Sequence, residues 1–140
     1  MMANLTDINA GRFCWVDLAA TDAERAKAFY GQLFGWAFRE QPANGGRFTY
    51  VQLSGQNVGS LYQLRRNQLN LGVASHWTPY IHVDDVADAA GRAACFDGKV
   101  IVRPFEVSGV ARIALIQDSV GAHFGLWEPI EANAQEVVRG

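Results

Sequence analysis

The chain runs through one order of elements twice, and this duplication restricts its fold more than any single residue does. The first pass opens on an apolar strand, Cys14, Trp15, Val16 and Leu18, with Asp17 inside it. Thr21-Asp22-Ala23-Glu24 then fits a capping box with Thr21 as the N-cap. The helix that follows carries Ala26, Phe29, Tyr30, Leu33 and Phe34 at helical spacing, a stripe for a core. Gly35 suits the left-handed position that ends it. Three strands come next: WAFREQ, RFTYVQL after an Asn44-Gly45-Gly46 turn, and QNVGSLYQL. RRNQLNLGVAS is polar and irregular and reads as a linker.

The second pass repeats the plan. HWTPYIHV is a strand, Asp85-Val86-Ala87-Asp88 starts a helix and Gly98 stops it. KVIV, VARIALIQ and AHFGLWE are three further strands, and RPFEVSG, residues 103–109, reads as a rim loop between two of them. Asp22 to Gly35 spans thirteen residues, as does Asp85 to Gly98, and Gly55 precedes Gly59 by four, as Gly121 precedes Gly125. The expected architecture is a single α+β domain over 1–140 with two tandem βαβββ modules, about 11–63 and about 76–129. A linker covers about 64–75 and a tail 130–140. The strands should curl into a cup-like mixed sheet with the helices outside.

Alternation along the strands separates two faces. Cys14, Val16 and Leu18, then Pro79, Ile81 and Val83, then Phe124 and Leu126 are apolar sets fit to pack on the helices. The opposite sets are mixed: Phe13, Trp15, Asp17; Thr78, Tyr80, His82; His123, Gly125, Trp127. A polar and aromatic face is a poor core and a good binding surface. The strand at 56–64 leaves both assignments open, since Asn57, Gly59 and Leu61 oppose Val58, Ser60 and Tyr62.

Nearly half of the 140 residues are apolar and under a fifth charged, so a core forms without staples. A net charge of −2 with scattered signs offers nothing to nucleic acid. No apolar stretch is long enough for a membrane, and MMANLTDINAGR lacks the apolar segment of a leader, so a soluble cytoplasmic protein is expected. Cys14 and Cys95 read as buried thiols without a disulfide framework. No phosphate loop, nucleophile elbow or CxxC is present.

VDLAATDAERAKAFYGQLFGW, HWTPYIHVDD and DSVGAHFGLWEP make residues 11–129 resemble the vicinal oxygen chelate superfamily, which includes glyoxalase I, bleomycin-resistance proteins and extradiol dioxygenases. The resemblance is to its small bacterial glyoxalase-related members. It implies metal ligands, usually His, Gln or Glu, from the first and last strand of each module. Aligned on the helix starts, the first-strand positions fall on Trp15 and Thr78; the last-strand pattern in DSVGAHFGL puts the other on Gly125, and the repeat puts its partner on Gly59. Tryptophan has no free lone pair to donate and glycine no side chain, so this set cannot make the usual site. A displaced site built on His82 and His123, with Asp17 or Glu106, is the alternative for a metal.

The expectation is therefore a protein without metal or cofactor that binds a small aromatic or apolar ligand through Trp15, Asp17, Thr78, Tyr80, His82, His123 and Trp127. The resemblance also implies a homodimer, as in bleomycin-resistance proteins, which hold a drug without transforming it. The second reading is a lyase or isomerase with Asp17, His82 or His123 as general base.

Overall fold

A computed structural model of the chain describes residues 10–43, 46–107 and 109–130. The Asn44-Gly45 turn, the residues read for a leader before residue 10 and the tail beyond 130 lie outside the described residues. The chain forms two compact units, one of residues 15–78 and one of residues up to 14 together with 79 onward.

The first unit holds β1 (Phe13–Ala20) from Trp15 on, α1 (Ala23–Phe34), β2 (Ala37–Ala43), β3 (Gly46–Leu53), β4 (Gln56–Gln63) and α2 (Arg66–Asn70). Its strands lie in the order β2-β3-β4-β1, with β4 parallel to β1 and the two hairpin pairs antiparallel. The second unit holds β5 (His76–His82) from Pro79 on, α3 (Val86–Cys95), β6 (Lys99–Val107), β7 (Ala111–Gln117) and β8 (His123–Pro129). Its order, β6-β7-β8-β5 with β8 parallel to β5, is the same topology. The tandem βαβββ plan of the sequence is thus the plan of the fold. Gly11 and Arg12 belong to the second unit, where Gly11 N–H donates to the His82 carbonyl and His82 N–H to that of Arg12, both at 2.8 Å.

Each helix packs one side of its own sheet. Ala23 of α1 packs with Leu18, Ala20, Val51 and Leu61, flanked by Ala26 and Tyr30 of the same helix and by Trp36 and Phe38. Val86 and Ala90 of α3 pack with Ala114, Ile116 and Leu126, flanked by Val83 and Phe124. Of the apolar strand sets that alternation selects, Leu18, Val83, Phe124 and Leu126 reach these cores, whereas Cys14 and Val16 are exposed, as are Phe29, Leu33 and Phe34 of the stripe expected to pack α1. Matching caps tie each helix start to the strand beside it. Ala23 N–H donates to Gln63 Oε1 at 2.8 Å, and Val86 N–H to Glu128 Oε1 at 2.9 Å.

Several expectations need correcting. Asp22, not Thr21, caps α1, accepting from Arg25 N–H at 3.1 Å. Thr21 is instead held by Ser75, whose Oγ accepts from its N–H at 2.9 Å. Gly35 ends α1 in the left-handed region as expected (φ 74°). In α3, however, Asp97 takes the positive φ (69°), and Gly98 serves close packing. A Cβ there would lie 2.9 Å from the carbonyl oxygens of both Ala93 and Gln117. The linker contains α2, whose start is closed by Arg65 N–H on Gln68 Oε1 at 2.8 Å. Residues 103–107 are not a loop but continue β6, with a register shift between Val102 and Phe105 that accommodates Pro104, which has no N–H to donate. Cys14 and Cys95 are exposed, the one before β1 reaches the core and the other in the last turn of α3.

Candidate functional site

In the first unit, the sheet face turned away from α1 carries a row of aligned side chains. Asp17 pairs with Ser60 on β4, Ser60 with Tyr50 on β3, and Tyr50 with Arg39 on β2. Alternation puts Trp15, Phe48 and Tyr62 on this face too. The undecided strand is thereby decided: Leu61 enters the core, so Ser60 and Tyr62 face away from it.

The Ser60 hydroxyl is used twice. It accepts from Trp15 Nε1–H at 2.8 Å and donates to Asp17 Oδ1 at 2.7 Å. Aromatic rings continue outward, with Trp15 edge-on to Tyr50 (centroids 6.1 Å apart) and Tyr50 edge-on to Phe48 (4.9 Å). The Arg39 guanidinium lies 5.5 Å from the centre of the Tyr50 ring. Burial pushes the Asp17 carboxyl up to about 6, against the Ser60 hydrogen bond and the charge of His76, which both lower it. Burial, and next the Asp17 charge, raise the Tyr62 hydroxyl, opposed by Arg65. This is a carboxylate that its surroundings only partly satisfy.

A stability prediction follows from that imbalance. A raised carboxyl pKa means that the folded chain keeps a proton which the unfolded chain has released. Between about pH 4 and 6 this group's contribution to stability therefore falls as pH rises, and above that window ionised Asp17 burdens the folded state. Asp17→Asn keeps an acceptor for Ser60 and removes the charge. It is expected to raise stability by about 1–2 kcal/mol at pH 7.5 and hardly at all at pH 4. Melting curves at both pH values check this, and a variant less stable than the parent at pH 7.5 contradicts it.

In the second unit, the face away from α3 carries Tyr80, His82, His123 and Trp127. Tyr80 is buried and edge-on to Trp127, with centroids 5.8 Å apart. It pairs with Gly125, and its ring covers that glycine so closely that a Cβ would overlap ring carbons Cδ2 and Cε2. His82 pairs with Trp127, and its Nε2 stands 3.9 Å from Asp84 Oδ1. His123 is exposed, with Nε2 3.2 Å from Gln117 Oε1. Four residues of β8 separate the partner of His82 from His123, about 13 Å of strand, so the two histidines do not meet. Thr78, the last residue of the first unit, is half-buried on β5. The motif aspartate Asp118 holds a turn: Oδ1 accepts from the N–H groups of Val120 and Ala122, both at 2.9 Å, and these bonds lower its pKa.

Register also corrects one equivalence between the modules. Asp17–Ser60 in the first unit corresponds to Tyr80–Gly125 in the second, because the capped helix starts Ala23 and Val86 each follow six residues later. The counterpart of Gly125 is thus Ser60 and not Gly59, which points toward the core side against Val16. The four positions at which the resemblance implies metal ligands are therefore Trp15, Ser60, Thr78 and Gly125. An indole N–H, two hydroxyls and a bare backbone do not fit a divalent cation that prefers imidazole or carboxylate. In the first unit, the Trp15–Ser60 hydrogen bond ties two of these positions directly to each other. Among the described residues no three His, Cys, Asp or Glu side chains gather where they could hold a metal ion. No described helix is long and apolar enough to cross a membrane.

The sequence pattern pointed to Trp15 and Asp17 but missed Ser60, Tyr50, Phe48 and Arg39. The signal for them was there: Phe48, Tyr50 and Gln52 share one parity in RFTYVQL, as Ser60 and Tyr62 do in the next strand.

Comparison with known proteins bears on the whole chain. The family described as bleomycin resistance protein-like N-terminal matches residues 12–54. The protein CFP32 of Mycobacterium tuberculosis (strain CDC 1551 / Oshkosh), provisionally named a glyoxylase, is 33% identical over 129 residues, covering 91% of this chain and 49% of that protein. The anthracycline biosynthesis protein DnrV of Streptomyces peucetius is 29% identical over 138 residues, covering 88% of this chain and 49% of that protein. The chain thus spans about half the length of the curated relatives it matches. Among solved structures, methylmalonyl-CoA epimerase from Mycobacterium tuberculosis shares the fold, with a TM-score of 0.66 at 17% identity over 96% of this chain and 97% of that one. Motifs, duplicated topology and relatives agree, and the chain belongs to the vicinal oxygen chelate superfamily, with the glyoxalase and bleomycin-resistance-like proteins.

Proposed function

We propose that the chain binds a small aromatic or apolar molecule on the sheet faces turned away from its helices, without the metal site usual in the superfamily. The observation that carries this reading is the aromatic face around Trp15, Tyr50 and Phe48, with Asp17 and Ser60 beside it. Flat rings offer large contact area, and the polar pair orients what they hold. A relative named for anthracycline biosynthesis, a matter of flat polycyclic compounds, supports the same class of ligand. The donor set at Trp15, Ser60, Thr78 and Gly125 supports the absence of metal. We infer a homodimer as well, supported by Phe29, Leu33 and Phe34, which leave more than half of their surface exposed along α1.

One preparation tests these statements together. Purified without chelator, the protein should contain far less than one transition metal per chain and scatter light as twice its chain mass. A thermal-shift screen of flat aromatic compounds should yield hits that also quench tryptophan fluorescence, and Trp15→Phe should weaken them about tenfold. A screen without hits, or hits indifferent to Trp15→Phe, would refute binding on this face.

A second reading, a lyase or isomerase using Asp17 as general base, is favoured by one observation, the carboxyl pushed up to about 6. It requires that a bound compound exchange an acidic C–H proton with solvent deuterium, and that Asp17→Asn abolish the exchange without abolishing binding.

A further inference from the structure

We propose that the open face of the first unit is shaped for a flat aromatic molecule with a protonated amine at one end and a carboxylate at the other, lying across the strands from Asp17 to Arg39. The inference rests on the ligand-binding reading above and names the ligand's chemistry. Its basis is the row Asp17–Ser60–Tyr50–Arg39, which sets opposite charges at the two ends of an aromatic platform.

Among the described residues neither end charge lies in an ion pair, although a Ser60 hydrogen bond and the charge of His76 act on Asp17. Asp17 Oδ1 accepts from Ser60, and its other oxygen takes no hydrogen bond among the described residues. Arg39 forms no ion pair among the described residues, whereas the neighbouring Glu40 is paired with Lys27 at 3.2 Å. Two strands lie between Asp17 and Arg39, so they do not neutralise one another. The Tyr50 ring already receives one cation on its surface, the Arg39 guanidinium. Trp15 and Phe48 flank it. A ring laid on this platform meets Arg39 at the β2 end and the free Asp17 oxygen at the β1 end.

Length selects further. Three strand spacings separate the Asp17 and Arg39 backbones by roughly 14 Å, and the guanidinium leans back over Tyr50, which brings the charges to roughly 10 Å apart. Two linked rings with substituents at their far ends span that gap. A compound with one charge leaves the other end unanswered, and a neutral one leaves both.

The test is a fluorescence titration of the full chain at pH 7.5 with four probes. They are 4'-(aminomethyl)biphenyl-4-carboxylate, 4-(aminomethyl)biphenyl, biphenyl-4-carboxylate and 4-(hydroxymethyl)biphenyl. The first should bind at least tenfold more tightly than each of the others. Asp17→Asn should erase its advantage over biphenyl-4-carboxylate, and Arg39→Gln its advantage over 4-(aminomethyl)biphenyl, with melting curves confirming that both variants fold. If the neutral probe binds as tightly as the doubly charged one, or the variants keep the original ranking, this inference fails while the ligand-binding reading stands. If none of the four binds below millimolar concentration, both fail.

Discussion

Alanine at position 125 is expected to remove about 3 kcal/mol of folding stability, although only one methyl group is added. The methyl would overlap two ring carbons of Tyr80, which pairs with Gly125 across the parallel strands. Tyr80 is 5% exposed and packed edge-on against Trp127, so its ring has little room to yield. Urea unfolding of the variant should show the loss as a lower midpoint with an unchanged slope. The cause is separable with a second substitution. Tyr80→Ala is itself costly, since truncating a buried aromatic side chain removes ~3–5 kcal/mol. In that background, however, the ring that the added methyl would overlap is gone, and Gly125→Ala should cost less than about 1 kcal/mol more. Equal costs in both backgrounds would show that the ring is not the obstacle.

Leu61→Ala should cost about 3–4 kcal/mol, as large-to-small changes at fully buried sites do. Leu61 is 1% exposed and lies against Leu18, Ala23 and Val51 under α1. Val58, three residues earlier on β4 and beside the register shift at Val51/Gln52, is 40% exposed. Val58→Ala should therefore cost under about 0.5 kcal/mol. Similar losses at the two positions would mean that β4 presents its other face to the helix. In that case Ser60 could not serve the row that joins Asp17 to Tyr50.

The elements were legible in the sequence because their punctuation is strong. Gly35 takes the left-handed conformation that its place after the Phe29–Phe34 stripe demanded, and Asp22 and Asp85 begin the two helices. What the sequence concealed was parity. Gly59 and Gly125 each follow a glycine by four residues, which suggests equivalence, yet one faces Val16 on the core side and the other faces Tyr80 on the open side. A single residue of offset between the modules reverses the face of every side chain in a strand. The same uncertainty hid Ser60, and with it the reason Asp17 is tolerated in an apolar strand: a hydroxyl fixed by Trp15 donates to it. Thr21 and Asp22 both suit a cap on composition. Only the distant Ser75, which engages Thr21, separates their roles, and a contact across fifty-four residues leaves no local trace.

Gly11 and Arg12 form their backbone bonds with His82, so one unit is assembled from segments far apart in the order of synthesis. All of residues 15–78 emerge from a ribosome before His82 does, and the first unit can close while Gly11 and Arg12 wait through roughly seventy further residues for a partner. The second unit then has to join two segments far apart in the chain, an entropic cost that grows only logarithmically with their separation but that slows the search. Conditions that delay elongation should therefore leave the backbone groups of Gly11 and Arg12 unmatched for longest.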